Sequence, residues 1–197
     1  MKRRIAVMTM TLALLAGPAA AQLPGINVHV GARVGAFMPL GSVVESGLGE
    51  SKWKSGLGVG ASIELDIPFS PINVRANVDA ALGTSLETDG QEAGAEGDIV
   101  ALTGDLVFRP LPRIATLQPY LLLGGGVKQY KFDDSGTFSD VSDFTGHIGA
   151  GADLKVGPLA VLVEASDYIS SFKNESNGEG KLQNDLFLMV GFRIGML

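Results

Sequence analysis

The sequence predicts an all-β protein, an antiparallel up-and-down barrel of eight strands. Three observations predict it. Apolar and polar residues alternate with a period of two in eight segments, prolines group these segments into pairs, and long polar connections alternate with short turns. Hydrophobic residues make up 46% of the 197 residues, and the mean hydropathy is +0.27. The fold therefore has a large apolar surface to cover.

The beginning of the chain has the pattern of an export signal. Basic residues at positions 2–4 precede an apolar run at 5–16, and three alanines that end at Ala21 have the small side chains of a signal-peptidase site. The apolar run is too short to cross a bilayer as a helix. We therefore expect a signal peptide at 1–21 and one domain at 22–197.

Prolines indicate the order of the strands, because proline cannot donate a ladder hydrogen bond and is confined to turns, edges and strand ends. Each block between proline groups contains two alternating segments; the blocks are 26–67, 72–109, 120–157 and 159–197. Short turns connect the blocks. We predict longer loops within the blocks, at the opposite end of the barrel, at 40–53, 85–97, 133–143 and 173–181.

The two faces of the predicted strands differ in charge. One face is Val, Leu, Ile and Ala without a charge in mid-strand, as hydrocarbon requires, and the other carries charges of both signs among glycines. A soluble barrel of the lipocalin type would place the apolar face inside instead. We favour a transmembrane barrel in which the charges form a structural network in the lumen, made of Arg33, Glu64, Asp66, Arg75, Asp79, Asp105, Arg109, Lys128, Asp153, Lys155, Glu164, Asp185 and Arg193.

The fifth strand, YLLLGGGVKQY, has an ambiguous pattern. A lysine against lipid would cost about 2–4 kcal/mol near the bilayer midplane. We therefore predict that Leu121, Leu123, Gly125 and Val127 face outward and that Lys128 faces the lumen.

Aromatic residues occur mainly near the ends of the predicted strands, where interfacial girdles of membrane barrels lie. We assign to these girdles Trp53, Phe69, Phe108, Tyr120, Tyr130, Phe132, Phe144, Tyr168, Phe172 and Phe192.

Together these patterns resemble the small outer-membrane β-barrels of Gram-negative-type bacteria, of the opacity-protein and OmpA-membrane-domain type. The resemblance covers 22–197. It implies an outer-membrane location with the termini in the periplasm, and contact with outer-membrane lipid and lipopolysaccharide. It also implies recognition of the C-terminal strand by the outer-membrane assembly machinery. That strand ends in Met196-Leu197, whereas family members usually end in an aromatic residue.

The sequence contains little that indicates catalysis. No cysteine is present, which excludes disulfides, thiolate metal sites and cysteine nucleophiles. His29 and His147 stand in no metal or catalytic motif, and the acidic loops lack EF-hand spacing. A net charge of −6 argues against nucleic acid as a partner. We expect no catalytic residue, cofactor or metal.

The expected function is that of a membrane-anchored structural or surface-interaction module with a closed, charge-filled lumen and a possible extracellular ligand at its loops. Three alternatives stay open. They are a narrow pore for small solutes or ions, a lipid A-modifying barrel enzyme that uses a histidine, and a soluble lipocalin-like binding barrel.

Overall fold

A computed structural model describes residues 27–46, 49–88, 91–112, 115–132, 141–173 and 180–196. These residues form ten β-strands and no helix: β1 (Asn27–Pro39), β2 (Ser42–Ser46), β3 (Gly49–Trp53), β4 (Gly56–Asp66), β5 (Ile72–Thr88), β6 (Gln91–Phe108), β7 (Leu117–Phe132), β8 (Val141–Val156), β9 (Leu159–Lys173) and β10 (Gly180–Met196). The described residues include no helix long and apolar enough to cross a membrane.

Eight of the strands close into a barrel in the order β1, β4, β5, β6, β7, β8, β9 and β10. Every neighbouring pair is antiparallel. The barrel closes where the first strand pairs with the last, from Val28↔Met196 to Pro39↔Asp185. The predicted eight-stranded, up-and-down barrel is confirmed.

The predicted loops are partly wrong, because the strands continue into polar sequence. The segment 40–53 contains the β2–β3 hairpin, and β3 pairs with the end of β5. The segment 85–97 lies mostly in β5 and β6. Only the ends of the other two loops lie within the described residues, and those ends belong to strands; the parts at 133–140 and 174–179 lie outside. A strand that extends beyond the apolar belt needs no apolar face, so the alternation of hydropathy could not predict these extensions.

The apolar face points outward around the barrel. Val190, Val163 and Leu102 expose about half of their side chains, 52–54%. The predicted orientation of the fifth strand is confirmed, since Leu123 is exposed and Lys128 is fully buried inside the barrel.

The assignment to the girdles is wrong for three aromatic residues. Tyr120, Tyr130 and Tyr168 are buried inside the barrel, because each has the inward parity of its strand. Phe69, Phe108, Phe144 and Phe192 are exposed, as expected for girdle positions. For Trp53, Phe132 and Phe172 the side chains lie outside the described part of the structure.

Two substitutions on the outward face test whether that face contacts lipid. Val190 lies midway along the apolar face of β10, and Gln129 is exposed on the outward face of β7 near the loop end. We expect Val190→Arg to lower the free energy of unfolding by about 2–4 kcal/mol in lipid vesicles, and Gln129→Arg by about 0–1 kcal/mol. Urea titration of the refolded variants measures both. Equal tolerance of the two substitutions would contradict a lipid-facing belt.

Candidate functional site

The candidate site is the lumen, to which all eight barrel strands contribute inward side chains. Of the thirteen residues predicted to form its network, twelve are buried inside the barrel: Arg33, Glu64, Asp66, Arg75, Asp79, Asp105, Arg109, Lys128, Asp153, Glu164, Asp185 and Arg193. Lys155 is half-buried, at the end of the barrel that carries the short turns. It lines a depression there beside His29 and Arg193.

Glu64 of β4 is the centre of the network because three arginines converge on its carboxylate. Arg75 Nε lies 3.0 Å from Oε2, Arg109 Nε lies 3.0 Å from Oε1, and Arg193 Nη1 lies 2.7 Å from Oε2. Asn73 Nδ2 donates a further hydrogen bond of 2.8 Å to Oε1. One buried side chain thus links four parts of the wall.

Glu164 of β9 forms a second centre. It accepts a hydrogen bond of 2.6 Å from Arg75 Nη1 and forms an ion pair of 3.0 Å with Arg33 Nη1. The Tyr120 hydroxyl donates to the same carboxylate at 2.7 Å. The guanidinium carbons of Arg75 and Arg109 lie 4.8 and 4.7 Å from the centroid of the Tyr120 ring, a cation–π distance. Asp153 of β8 is the third carboxylate of this part of the network.

The carboxylate of Asp153 binds two of the arginines that also hold Glu64. Arg109 Nη1 donates to Asp153 Oδ2 at 2.8 Å, and Arg193 forms an ion pair with the same oxygen. Because each arginine contacts two carboxylates, the removal of any one carboxylate leaves a charge that is only partly compensated.

A middle layer crosses the lumen from β1 to β9. Arg33 donates to Asp79 Oδ2 at 2.8 Å and to Asn77 Oδ1 at 2.9 Å. Asn77 in turn donates to Asp105, and the Tyr168 hydroxyl donates to Asp79. These contacts give every charged group of the layer a partner.

Each histidine faces a carboxylate. His147 Nδ1 lies 2.9 Å from Asp105 Oδ1, and its ring stacks on Tyr168 at 4.1 Å. His29 Nε2 lies 3.0 Å from Asp66 Oδ2. Within the described residues neither histidine contacts a serine, and no group of His, Cys, Asp and Glu is arranged to hold a metal ion.

The loop end of the lumen is partly apolar, although the predicted lumen network consisted only of charged residues. Phe37 and Phe187 pack with their ring centroids 5.1 Å apart, and Tyr168 meets Phe187 edge-on at 5.4 Å. Lys128 Nζ donates to Asp185 Oδ2 at 2.7 Å in the same part of the barrel. The inward parity of Phe37 and Phe187 was the available signal. Aromatic side chains fill the space between the ionic groups.

This arrangement links the strands to one another across the barrel and fills much of the lumen. The architecture is also found in solved structures. Neisserial surface protein A is 13% identical in sequence, with a TM-score of 0.57 over 86% of this chain and 96% of that chain. The fold is that of the small outer-membrane β-barrels.

Two further structures support this assignment of the fold. A major outer membrane protein from Thermus thermophilus is 14% identical, with a TM-score of 0.54 over 87% of this chain and 99% of that chain. The N-terminal β-barrel domain of OprF from Pseudomonas aeruginosa is 14% identical, with a TM-score of 0.51 over 85% and 97%. No protein-family model and no curated protein matches the sequence.

The convergence on Glu64 predicts a large cost for its loss. Glu64→Gln keeps the shape of the side chain but removes the charge that three guanidiniums share. We expect the free energy of unfolding in vesicles to fall by about 3–5 kcal/mol. Asp98→Asn is the control, since Asp98 accepts a hydrogen bond from the exposed amide of Gly83, and it should change stability by about 0.5 kcal/mol or less. Similar urea midpoints for the two variants would show that the network is not structural.

Gly60 on the inward face and Gly104 on the outward face together test how tightly the lumen is filled. A Cβ at Gly60 would lie 1.9 Å from Asp79 Oδ1 and 2.8 Å from Arg33 Nε, whereas a Cβ at Gly104 would have no atom within 4 Å. We expect Gly60→Ala to destabilise the barrel by about 1–3 kcal/mol, because the ion pair has to move. Gly104→Ala should be neutral or stabilising by up to about 1 kcal/mol. Loss of heat resistance in both variants, or in neither, would contradict this difference.

Proposed function

We propose that the protein is an outer-membrane anchor with a closed lumen, and that it acts through the surface that its loop end presents outside the cell. The observation that carries the proposal is the buried network around Glu64. An eight-stranded barrel has an interior only wide enough for side chains to fill. In this barrel arginines, carboxylates and tyrosines from every strand occupy it.

The wall supports insertion into a membrane. The outward positions of β1 and β4 to β10 are mainly Val, Leu, Ile and Phe, and many expose about half of the side chain. A belt of this kind, apolar except for a few residues such as Asp167 on β9, is stable in contact with hydrocarbon and would aggregate in water. The buried charges argue against the soluble, lipocalin-like alternative, whose ligand cavity is apolar.

The loop end supports a role in surface interactions. There the β2–β3 hairpin pairs with the end of β5, beyond the exposed Leu82. The segment 85–97 carries Glu87, Asp89, Glu92 and Glu96. A cationic surface is therefore the favoured class of extracellular ligand.

The remaining partners follow from the membrane location. We propose contact with outer-membrane lipid and lipopolysaccharide along the belt, and recognition of β10 by the assembly machinery. The acidic net charge makes nucleic acid an unfavourable partner. We propose no enzymatic activity, because the described histidines bind carboxylates and not a serine nucleophile.

Single-channel recording tests the closed lumen. Refolded protein in planar bilayers should show no stable conductance steps, because the ionic network and the aromatic side chains occupy the interior. Rare, small, flickering events agree with brief rearrangement of ion pairs. A sixteen-stranded porin, which has an aqueous channel, serves as the positive control. Reproducible porin-like steps from the protein would overturn the proposal in favour of a pore.

A further inference from the structure

The lumen ends, on the side of the short turns, in a depression with a volume of about 240 Å³. Its charged lining comes from β1, β4, β8 and β10 and from the residue that follows β6: His29, Asp66, Lys155, Arg193 and Arg109. Since β4 and β8 lie on opposite sides of the barrel, the depression is the mouth of the lumen. A ligand reaches it from the aqueous phase and not from lipid.

The lining of this mouth is cationic, although the protein as a whole carries a net charge of −6. Arg109, Lys155 and Arg193 contribute three positive charges, and Asp66 contributes one negative charge. The Asp66 carboxylate is already in contact with His29, whose Nε2 lies 3.0 Å from Oδ2. Charge complementarity therefore selects an anion as the ligand of the mouth.

The carboxylates that compensate the two arginines lie beneath them. Arg109 and Arg193 expose 8% and 6% of their surface, whereas Glu64 and Asp153 expose 1% and 0%. Both arginines line the depression, and among the described residues around it neither of these two acids appears. A solute that enters the mouth therefore meets guanidinium groups before it meets a carboxylate of the network.

Arg193 keeps a donor for such a solute. A guanidinium has five N–H donors. Arg193 donates to Glu64 with Nη1 and forms its ion pair with Asp153 through Nη2, and within the described residues no contact uses its Nε. Arg109 shares both carboxylates, so neither of them neutralises Arg193 alone. The side chain thus accommodates a further acceptor that enters the depression.

Gly195 leaves room at the rim of the mouth. It pairs with His29 between β10 and β1, on the inward face. A Cβ at Gly195 would lie 3.1 Å from both Cε1 and Nδ1 of the His29 ring. A larger residue would force the imidazole to move. The glycine therefore allows His29 to stay at the rim beside Asp66.

We propose that the mouth of the lumen binds an oxyanion, the phosphate or carboxylate group of a soluble molecule, between Arg193, Lys155 and His29. Guanidinium and ammonium groups donate charge-assisted hydrogen bonds to the oxygens of both groups. The volume is below the roughly 300–1,000 Å³ of sites that enclose drug-sized ligands, so the site takes a small anion or the charged end of a larger molecule. The network beneath it stays closed. Access from the periplasm rests on the proposed orientation of the barrel in the outer membrane.

Inorganic phosphate and succinate are the probes, because both are small, soluble oxyanions. Isotope-labelled protein is refolded in phosphatidylcholine nanodiscs and titrated with each probe at constant ionic strength, and the amide chemical shifts are recorded by NMR. We expect saturable shifts at Lys155, Gly157 and Gly195, which line the mouth. We expect none at Gly83 and Asp98, which lie toward the loop end. The probe that binds more tightly identifies the group that the site prefers.

Substitutions of lysine separate the site from general attraction of anions. Lys155→Gln should weaken the Kd of the tighter probe about tenfold, the effect of about one charge-assisted hydrogen bond. Lys155→Arg keeps the charge and should bind like the wild type. Lys54→Gln is the matched control, since Lys54 is exposed at the loop end, and it should leave the Kd unchanged. Arg193 is not substituted, because its loss would also disrupt the network.

Three results would overturn the anion site. They are the lack of saturable shifts with both probes, equal shifts at the two ends of the barrel, and an unchanged Kd in Lys155→Gln. If Lys155→Gln does not refold, the distribution of the wild-type shifts decides by itself. Conductance in planar bilayers would contradict the closed lumen and leave this titration unaffected, whereas a failed titration contradicts only the anion site.

Discussion

The carboxylate of Glu64 is the interaction on which the rest of the lumen depends. Three guanidiniums in contact with one acid would repel each other without it. Two of them, Arg109 and Arg193, also share Asp153, and the third, Arg75, shares Glu164. The arginines therefore act as bridges between carboxylates of different strands. The desolvation of so many charges is offset only because nearly every charged group has more than one partner.

The distribution of polar and apolar residues across the barrel wall is the reverse of that in a water-soluble protein, which has an apolar interior and a polar surface. Inward residues are mostly polar or aromatic, with aliphatic side chains such as Ile99, Leu122 and Leu162 among them, while outward residues are mostly apolar and exposed. The glycines of the inner face follow from this packing, as at Gly60, where a single methyl group would displace Asp79. Small residues in these strands make room for large ones opposite, since the interior of eight strands has a fixed, narrow width.

The fold was predictable from the sequence because an alternation of apolar and polar residues with a period of two marks a strand that has one apolar face. The same parity brought twelve of the thirteen predicted charged residues to the interior. It could not show that Arg75 and Arg109 enclose Tyr120, or that three arginines share Glu64, because these contacts depend on which strands face each other across the lumen. The polar ends of β5 and β6 were missed for a related reason: outside the belt, no alternation of hydropathy is required. Lys155 has the inward parity but lies too close to the mouth to be buried.

The contact between Arg193 and Glu64 joins residues 129 positions apart in the chain. It forms only when the last strand has reached the first, since β10 closes the barrel against β1. Until that moment the interior contains acids and bases without their final partners, and an open sheet has little to gain from a partial set of them. Most of the stabilisation from the network is therefore gained only when the barrel closes. Barrel closure is therefore a late and cooperative event, because the ionic contacts that offset the loop-closure entropy form together. In a chain that stops before its final strand has paired, the charged groups of the interior lack their final partners.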